Sequence, residues 1–369
     1  MVPENTMASR IASALLFALT LAAQTDPYTD RAREVADRLI QTPVESIPYN
    51  WGEGVQMMGL AKFHERVRDP RYTDFLEAWA DHHLKRDATE LLGVNRGVLG
   101  ERTGYCGHWA PSAAIYLLND LRPKPAYQAI ARRTVQFIAN EMERSPDGGL
   151  GHWQGSHQLW VDTLFMACPL LTHYGTKQKQ PEHVRDAAKQ IMVYARHLQD
   201  QKTGLFYHMA DWQTGDRTKE PWARGNGWVL MSIADVLEVL EPMHPDYEPL
   251  LHIAEKMLAG LKRTQDAQGL WHTLLDDPAS YAETSATAMV VYGTLKLVRH
   301  QAIPARHAAM AHSAWKGINE GYVKEGRVLG VSAGTSPKDR AYYRNVRLGS
   351  ETWGTGAYLL AASETARLR

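Results

Sequence analysis

The stretch WARGNGWVLMSIADVLEVL at 222–240 decides the fold. It opens on Trp, Arg and two glycines, then runs into a helix of small and apolar residues with almost no polar face. A helix that is apolar nearly all round belongs inside a protein, not on its surface. The same pattern recurs on both sides of it. It reads YNWGEGVQMMGLAKF at 49–63, GYCGHWAPSAAIYLL at 104–118 and SHQLWVDTLFMACPLLTHYG at 156–175. It returns as YAETSATAMVVYGTLKLV at 281–298 and SETWGTGAYLLAASE at 350–364. The six segments stand roughly 50 to 70 residues apart.

More polar helices run between them, near Asp30–Gln41, Arg71–Asp87, Pro125–Glu143, Glu182–Asp200, Tyr247–Gln265 and Ala305–Tyr322. Each carries charge on one face and aliphatic residues on the other, the pattern of a helix that covers a core. No stretch alternates convincingly as a strand. Six inner and six outer helices predict an all-α protein, an (α/α)6 barrel or toroid of six hairpins. The aromatic loops at the inner N-termini would then cluster at one mouth. A helical solenoid is the structural alternative, and it fits less well because the repeat has no strict sequence period.

The chain has 369 residues, with Lys+Arg 41 and Asp+Glu 41. Balanced charge gives no global field toward nucleic acid or an anionic membrane, so neither is expected as a partner. Trp and Tyr number 11 and 16 against 6 Phe. Flat rings with a polar edge suit sugar rings, and they serve equally well as wedges between helices. The uncharged run IASALLFALTLAA at 11–23 follows Arg10 and ends in small residues. This is the pattern of a secretory signal, so residues 1–23 are expected to be a signal peptide and 24–369 a single barrel domain in the periplasm or outside the cell. Cys106 and Cys168 make no disulfide framework and are expected to be free and buried. No phosphate-binding Gly loop with Lys-Ser/Thr, His-Glu-x-x-His, Cys-x-x-Cys or serine elbow occurs, so no cofactor or metal is expected.

Carboxylates near the expected mouth are Glu53, Asp162, Asp211, Glu283 and Glu351. Asp162 lies in LWVDTLFMA, between apolar neighbours at an inner-helix start. Desolvation there is expected to raise its pKa and suit it to general acid work. A helix N-cap is the competing role. Glu53, Glu283 and Glu351 read as buried structural carboxylates pairing with Arg. Trp222 and Arg224 form a second constellation, a stacking face beside a fork for a carboxylate; Arg224 could instead cap backbone carbonyls inside the ring. His208 in LFYHMADW and His152 in DGGLGHW could orient a hydroxyl or move a proton. The mouth loops also offer Trp51, Trp109 and Trp228. A Trp–Arg pair near a shielded Asp predicts a small anionic sugar as ligand.

At these residues the sequence resembles glycoside hydrolase family 105, the unsaturated rhamnogalacturonyl hydrolases, related to the family 88 unsaturated glucuronyl hydrolases. The resemblance rests on LWVDTLFMA (159–167), YHMADW (207–212), WARGNGW (222–228), ETSATAMVVYGTLK (283–296) and WGTGAYLLAASE (353–364), in family order. It implies the same barrel and removal of a 4,5-unsaturated uronic acid from lyase-generated oligosaccharides. It puts Asp162 in the acid/base role, Trp222 and Arg224 at the uronate and His208 beside the ring. His152 resembles a family His upstream of the catalytic Asp. One departure stands out. Related enzymes carry a second Asp in the loop opening the second inner helix, where this chain reads GYCGHWAP and places His108. The segment GTSPKDRAYYRNVRLGSE at 334–351 is expected to close the mouth, with Tyr342, Tyr343 and Arg347 as binding candidates. The alternatives are a conventional exo-glycosidase or a polysaccharide lyase on the same toroid, and a non-catalytic carbohydrate-binding relative. An ordinary hydrolase would need Glu53 or Glu283 about 5 to 10 Å from Asp162.

Overall fold

Helix formation follows the expected segments throughout the described residues of the computed structural model, 27–94 and 103–365. The expected signal peptide at 1–23 lies outside the described residues. The first hairpins are built from α1 (Thr29–Leu39), α2 (Trp51–Val67), α3 (Pro70–His83), α4 (Ala110–Leu121), α5 (Pro125–Asn140) and α6 (Asp162–Lys177). The chain continues through α7 (Pro181–Leu198), α8 (Ala223–Leu237), α9 (Tyr247–Thr264), α10 (Thr284–Arg299), α11 (Ala308–Gly321) and α12 (Thr352–Thr365). Even-numbered helices are the inner ones. Every residue of α8 is buried, as its lack of a polar face requires. The outer α7 buries Val184, Ala187, Ala188, Ile191 and Leu198 and leaves its charged side to solvent.

Local chemistry sets the helix starts. Pro70, Pro125 and Pro181 occupy first turns, where a missing N–H leaves nothing unpaired. Asp69 caps α3 by accepting from the Arg71 amide at 3.0 Å. The inner helices form a closed ring: each packs on the next, and α12 returns to pack on α2. Closure excludes the solenoid. It also demands that backbones approach closely. A Cβ on Gly59 would fall 2.4 Å from the Gly356 carbonyl oxygen, so α2 and α12 meet main chain to main chain.

Short strands, absent from the sequence reading, tie the mouth loops together. β1 (Gln158–Trp160) pairs antiparallel with β2 (Met209–Asp211), Trp160 opposite Met209. β3 (Val323–Lys324) pairs with β4 (Arg327–Val328), and β5 (Val331–Ser332) with β6 (Leu348–Gly349). Two or three residues are too few to show a period of two. Cys106 and Cys168 are free and buried, as expected. Among the described residues no helix is long and apolar enough to cross a membrane.

Replacing Gly59 by Val forces side-chain atoms into the α12 backbone. We expect a loss of about 1–3 kcal/mol or more in urea unfolding. A Gly59→Val protein within about 0.5 kcal/mol of the parent, the range of an ordinary surface change, would show that the seam is not tight.

Candidate active site

The β1–β2 ladder places the two groups that matter most. β1 ends one residue before Val161, whose amide donates to the His208 carbonyl at 3.0 Å. That bond registers Asp162, the first residue of α6, against His208, just ahead of β2. His208 Nε2 lies 3.1 Å from Asp162 Oδ2. Asp162 is therefore not an N-cap: no side chain caps α6, and the carboxylate turns to the imidazole. Its other oxygen, Oδ1, has no protein partner among the described residues. About a fifth of the side chain, 21%, is open.

His208 is held on three sides. Its ring stacks on Trp222 with centroids 4.1 Å apart and meets Trp160 edge-on at 5.4 Å. Its Nδ1 lies 2.7 Å from the Tyr343 hydroxyl. Burial pushes the Tyr343 pKa well up, so the phenol keeps its proton and donates to Nδ1. Nδ1 then accepts, Nε2 carries the hydrogen, and that hydrogen points at Asp162.

The expected direction of the Asp162 pKa is overturned. Burial, the largest single influence, does push it up. The His208 hydrogen bond and the electrostatic influence of His208, His152 and Arg224 together outweigh burial and hold the carboxyl below the usual carboxylate range. At neutral pH the free protein carries a carboxylate here.

Asp162 opens onto a cavity of about 170 Å³. Trp51, Tyr105, His152, Trp160 and Arg224 form much of its wall, and Gly334, Thr335 and Ser336 close one side. Asp162 is its one carboxylate among the described residues. His152 stacks on Trp160 at 4.3 Å, and its Nδ1 is 2.8 Å from the Thr163 hydroxyl. Trp51 stacks on Trp353 at 4.4 Å.

Arg224 takes the capping role. It is 1% exposed. Nη1 donates to the Ser332 carbonyl at 2.8 Å, and Nη2 donates to the Ala333 carbonyl at 3.0 Å and the Thr335 hydroxyl at 2.8 Å. Its guanidinium carbon sits 4.7 Å over the Trp222 ring. Glu283, 3.7 Å from Nη1, caps α10 through the Ala286 amide at 2.7 Å and accepts the Ser332 amide at 2.9 Å. Arg224 thus anchors the 332–335 segment and still presents a cationic edge to the cavity. The expected mouth-closing segment 334–351 does supply the wall at its start. Arg347, paired with Glu351 at 2.7 Å, is mostly exposed and points away.

Other candidates sit elsewhere. Trp222 does not line the cavity; it packs among His208, Arg224, Tyr343 and Leu274, so it is a buried spacer. Tyr343 is likewise buried behind His208. Trp109 is a core ring against Phe137, and Trp228 stacks on Phe165 behind Trp51. His108 packs edge-on against Tyr105, one layer behind the wall. Glu53 pairs with the Thr352 hydroxyl at 2.9 Å and not with an Arg, and burial pushes its pKa up. Asp211 closes a turn through the Gln213 and Thr214 amides. Sequence reasoning missed Trp160, Tyr105 and Trp353. Trp160 had a signal: it stands two residues before Asp162 in the same inner-helix opening.

The fold is an (α/α)6 barrel, and comparison with known proteins makes the chain a glycoside hydrolase. The chain belongs to Glycosyl Hydrolase Family 88, matched over residues 26–369. It is 26% identical over 340 residues to the unsaturated rhamnogalacturonyl hydrolase YesR of Bacillus subtilis, covering 89% of this chain and 93% of that one. It is 25% identical over 342 residues to an unsaturated 3S-rhamnoglycuronyl hydrolase of Formosa agariphila, covering 87% and 85%. A crystal structure of a possible member of the GH105 family from Salmonella enterica superposes with TM-score 0.81 at 27% identity, covering 100% of this chain and 96% of that one.

Tyr343→Phe removes the donor that fixes the imidazole tautomer while keeping the ring. We expect the His208 ¹⁵N resonances to move toward a tautomer mixture and turnover to fall about tenfold or more. Unchanged ¹⁵N shifts would mean that Asp162 alone sets the tautomer.

Proposed function

We propose that the protein releases a 4,5-unsaturated uronic acid from the non-reducing end of an oligosaccharide, by hydrating the C4=C5 double bond. The observation that carries this reading is the lone carboxylate. Hydrolysis at an anomeric carbon needs two carboxyl groups across the bond. Glu283, the expected second partner, is fully occupied by two amides and by the Ser285 hydroxyl, and neither it nor Glu53 lines the cavity. Hydration of an enol ether needs only one acid that later acts as base.

The residues divide the work as follows. Protonated Asp162 gives its proton to C4 through Oδ1, the oxygen His208 leaves free. The π electrons form the C4–H bond, and the positive charge left at C5 is shared with the ring oxygen. Water attacks C5 and returns a proton to Asp162. The resulting hemiketal opens to a C5 ketone, and the glycosidic partner leaves from C1. One water is consumed, and the carboxyl ends as it began. The cationic edge of Arg224 and the His152 imidazole attract the uronate carboxylate, while Trp51 and Trp160 offer rings to the sugar face. The leader at 11–23 supports action in the periplasm or outside the cell.

Ligand charge favours the acid form of Asp162, which takes its proton from solvent. The uronate adds negative charge beside Asp162 and offsets the fields of Arg224 and His152 that hold its pKa down. The acid form therefore gains population when substrate binds. Both kcat and kcat/KM should fall as pH rises through the Asp162 pKa, and the kcat profile should fall at the higher pH. Coincident profiles, or the reverse order, would remove this account of proton loading.

The decisive assay follows the enol-ether absorbance of lyase-generated unsaturated disaccharides. We expect it to disappear, with one deuteron delivered to C4 in D₂O. Asp162→Asn should lower the rate by about 10²–10⁴-fold without loss of fold. Product that keeps its double bond would mean conventional glycosidic hydrolysis and would sink the proposal.

A further inference from the structure

A second cleft, of about 250 Å³, opens at the N-terminal end of α12, on the residues Thr352 and Thr355 and not on Trp353. Arg38 from α1 and Arg327 from β4 flank it, and Gln56 from α2 forms its floor. Nothing in the proposed reaction uses it.

Three observations mark it as built for a ligand. Gln56 is only 7% exposed, yet its side-chain amide has no protein partner among the described residues. The residue is largely buried while its amide stays open to the cleft, free to take a partner from outside the chain. Arg38 and Arg327, both exposed, also have no carboxylate partner among the described residues, whereas Arg71, Arg122 and Arg340 each hold two. Two nearby acids are engaged elsewhere, Glu53 with Thr352 and Glu351 with Arg347, while Glu325 beside the β3–β4 turn makes no ion pair among the described residues. Glu34, one turn before Arg38, makes no ion pair with it. Finally, the two arginines are brought together by backbone. Gly326 at φ +67 presses the β3–β4 turn on α1, where a Cβ would fall 2.7 Å from the Glu34 carbonyl oxygen.

We propose that this cleft is an oxyanion site that takes a sulfate or phosphate group, free or carried on a saccharide. Two guanidinium forks supply the charge and the directed donors. The N-terminal end of α12 adds its positive dipole, and the Gln56 amide donates from below. Thr42, Ser350 and Thr355 line the rim with hydroxyls that bind no other side chain among the described residues.

The test titrates the whole protein with sodium sulfate, sodium phosphate and sodium chloride at matched ionic strength, following Tm and heat. Sulfate or phosphate should give a saturable rise in Tm that chloride does not. Arg38→Ala with Arg327→Ala should weaken that binding by about tenfold or more. Gln56→Leu should weaken it too while unfolding as cooperatively as the parent, since its amide has no protein partner to lose; this variant decides the matter if the arginine pair fails to fold. A sulfated oligosaccharide binding more tightly than free sulfate, with its desulfated form silent, assigns the site to a glycan substituent. Equal affinities assign it to the free anion. No saturable effect, or parent-like affinity in Gln56→Leu and in the arginine variant, overturns the proposal.

Discussion

The ring closes where α2 and α12, at opposite ends of the chain, touch main chain to main chain at Gly59 and Gly356. Everything functional depends on that contact. Only a closed ring gathers the inner N-termini at one mouth, and only there do Trp51 from the first inner helix and Trp353 from the last become stacked neighbours. Close packing of this kind tolerates little added volume. It therefore fixes the cavity's width as firmly as it fixes the fold.

Within that frame the site is governed by charges arriving from far along the sequence. Asp162 sits in an apolar run, and burial among its immediate neighbours pushes its pKa up. His208, 46 residues on, and the more distant Arg224 reverse the balance. The free protein is thus set to wait: the carboxylate is stable until an anion enters. In the proposed reaction, selectivity for an anionic sugar and activation of the acid are two effects of one field.

The fold was legible because helical periodicity is local and repeats through twelve segments. Asp162, His208 and Arg224 were legible as residues, since each stands out against its neighbours. Their electrostatic relation was not, because desolvation reads from adjacent residues while compensating charges do not. The aromatic rings show the same limit. Trp109 and Trp228 look like Trp51 and Trp160 in sequence, each in a glycine-bearing or apolar run at an inner-helix start. Whether a flat ring faces a cavity or a core depends on a few degrees of rotation about the helix axis, which composition does not encode. The short β1–β2 ladder was invisible for want of length, although it is what puts Asp162 beside His208.

Arg224 grips the 332–335 segment mainly through carbonyl oxygens, together with the Ser332 and Thr335 hydroxyls. The grip makes no use of what stands at positions 334 and 336, and Gly334 and Ser336 still form part of the cavity wall. Those two positions are uncoupled from the integrity of the site. Descendants of this chain could diversify there, trading one sugar for another, while the acid, its imidazole and the ring beneath them stay as they are.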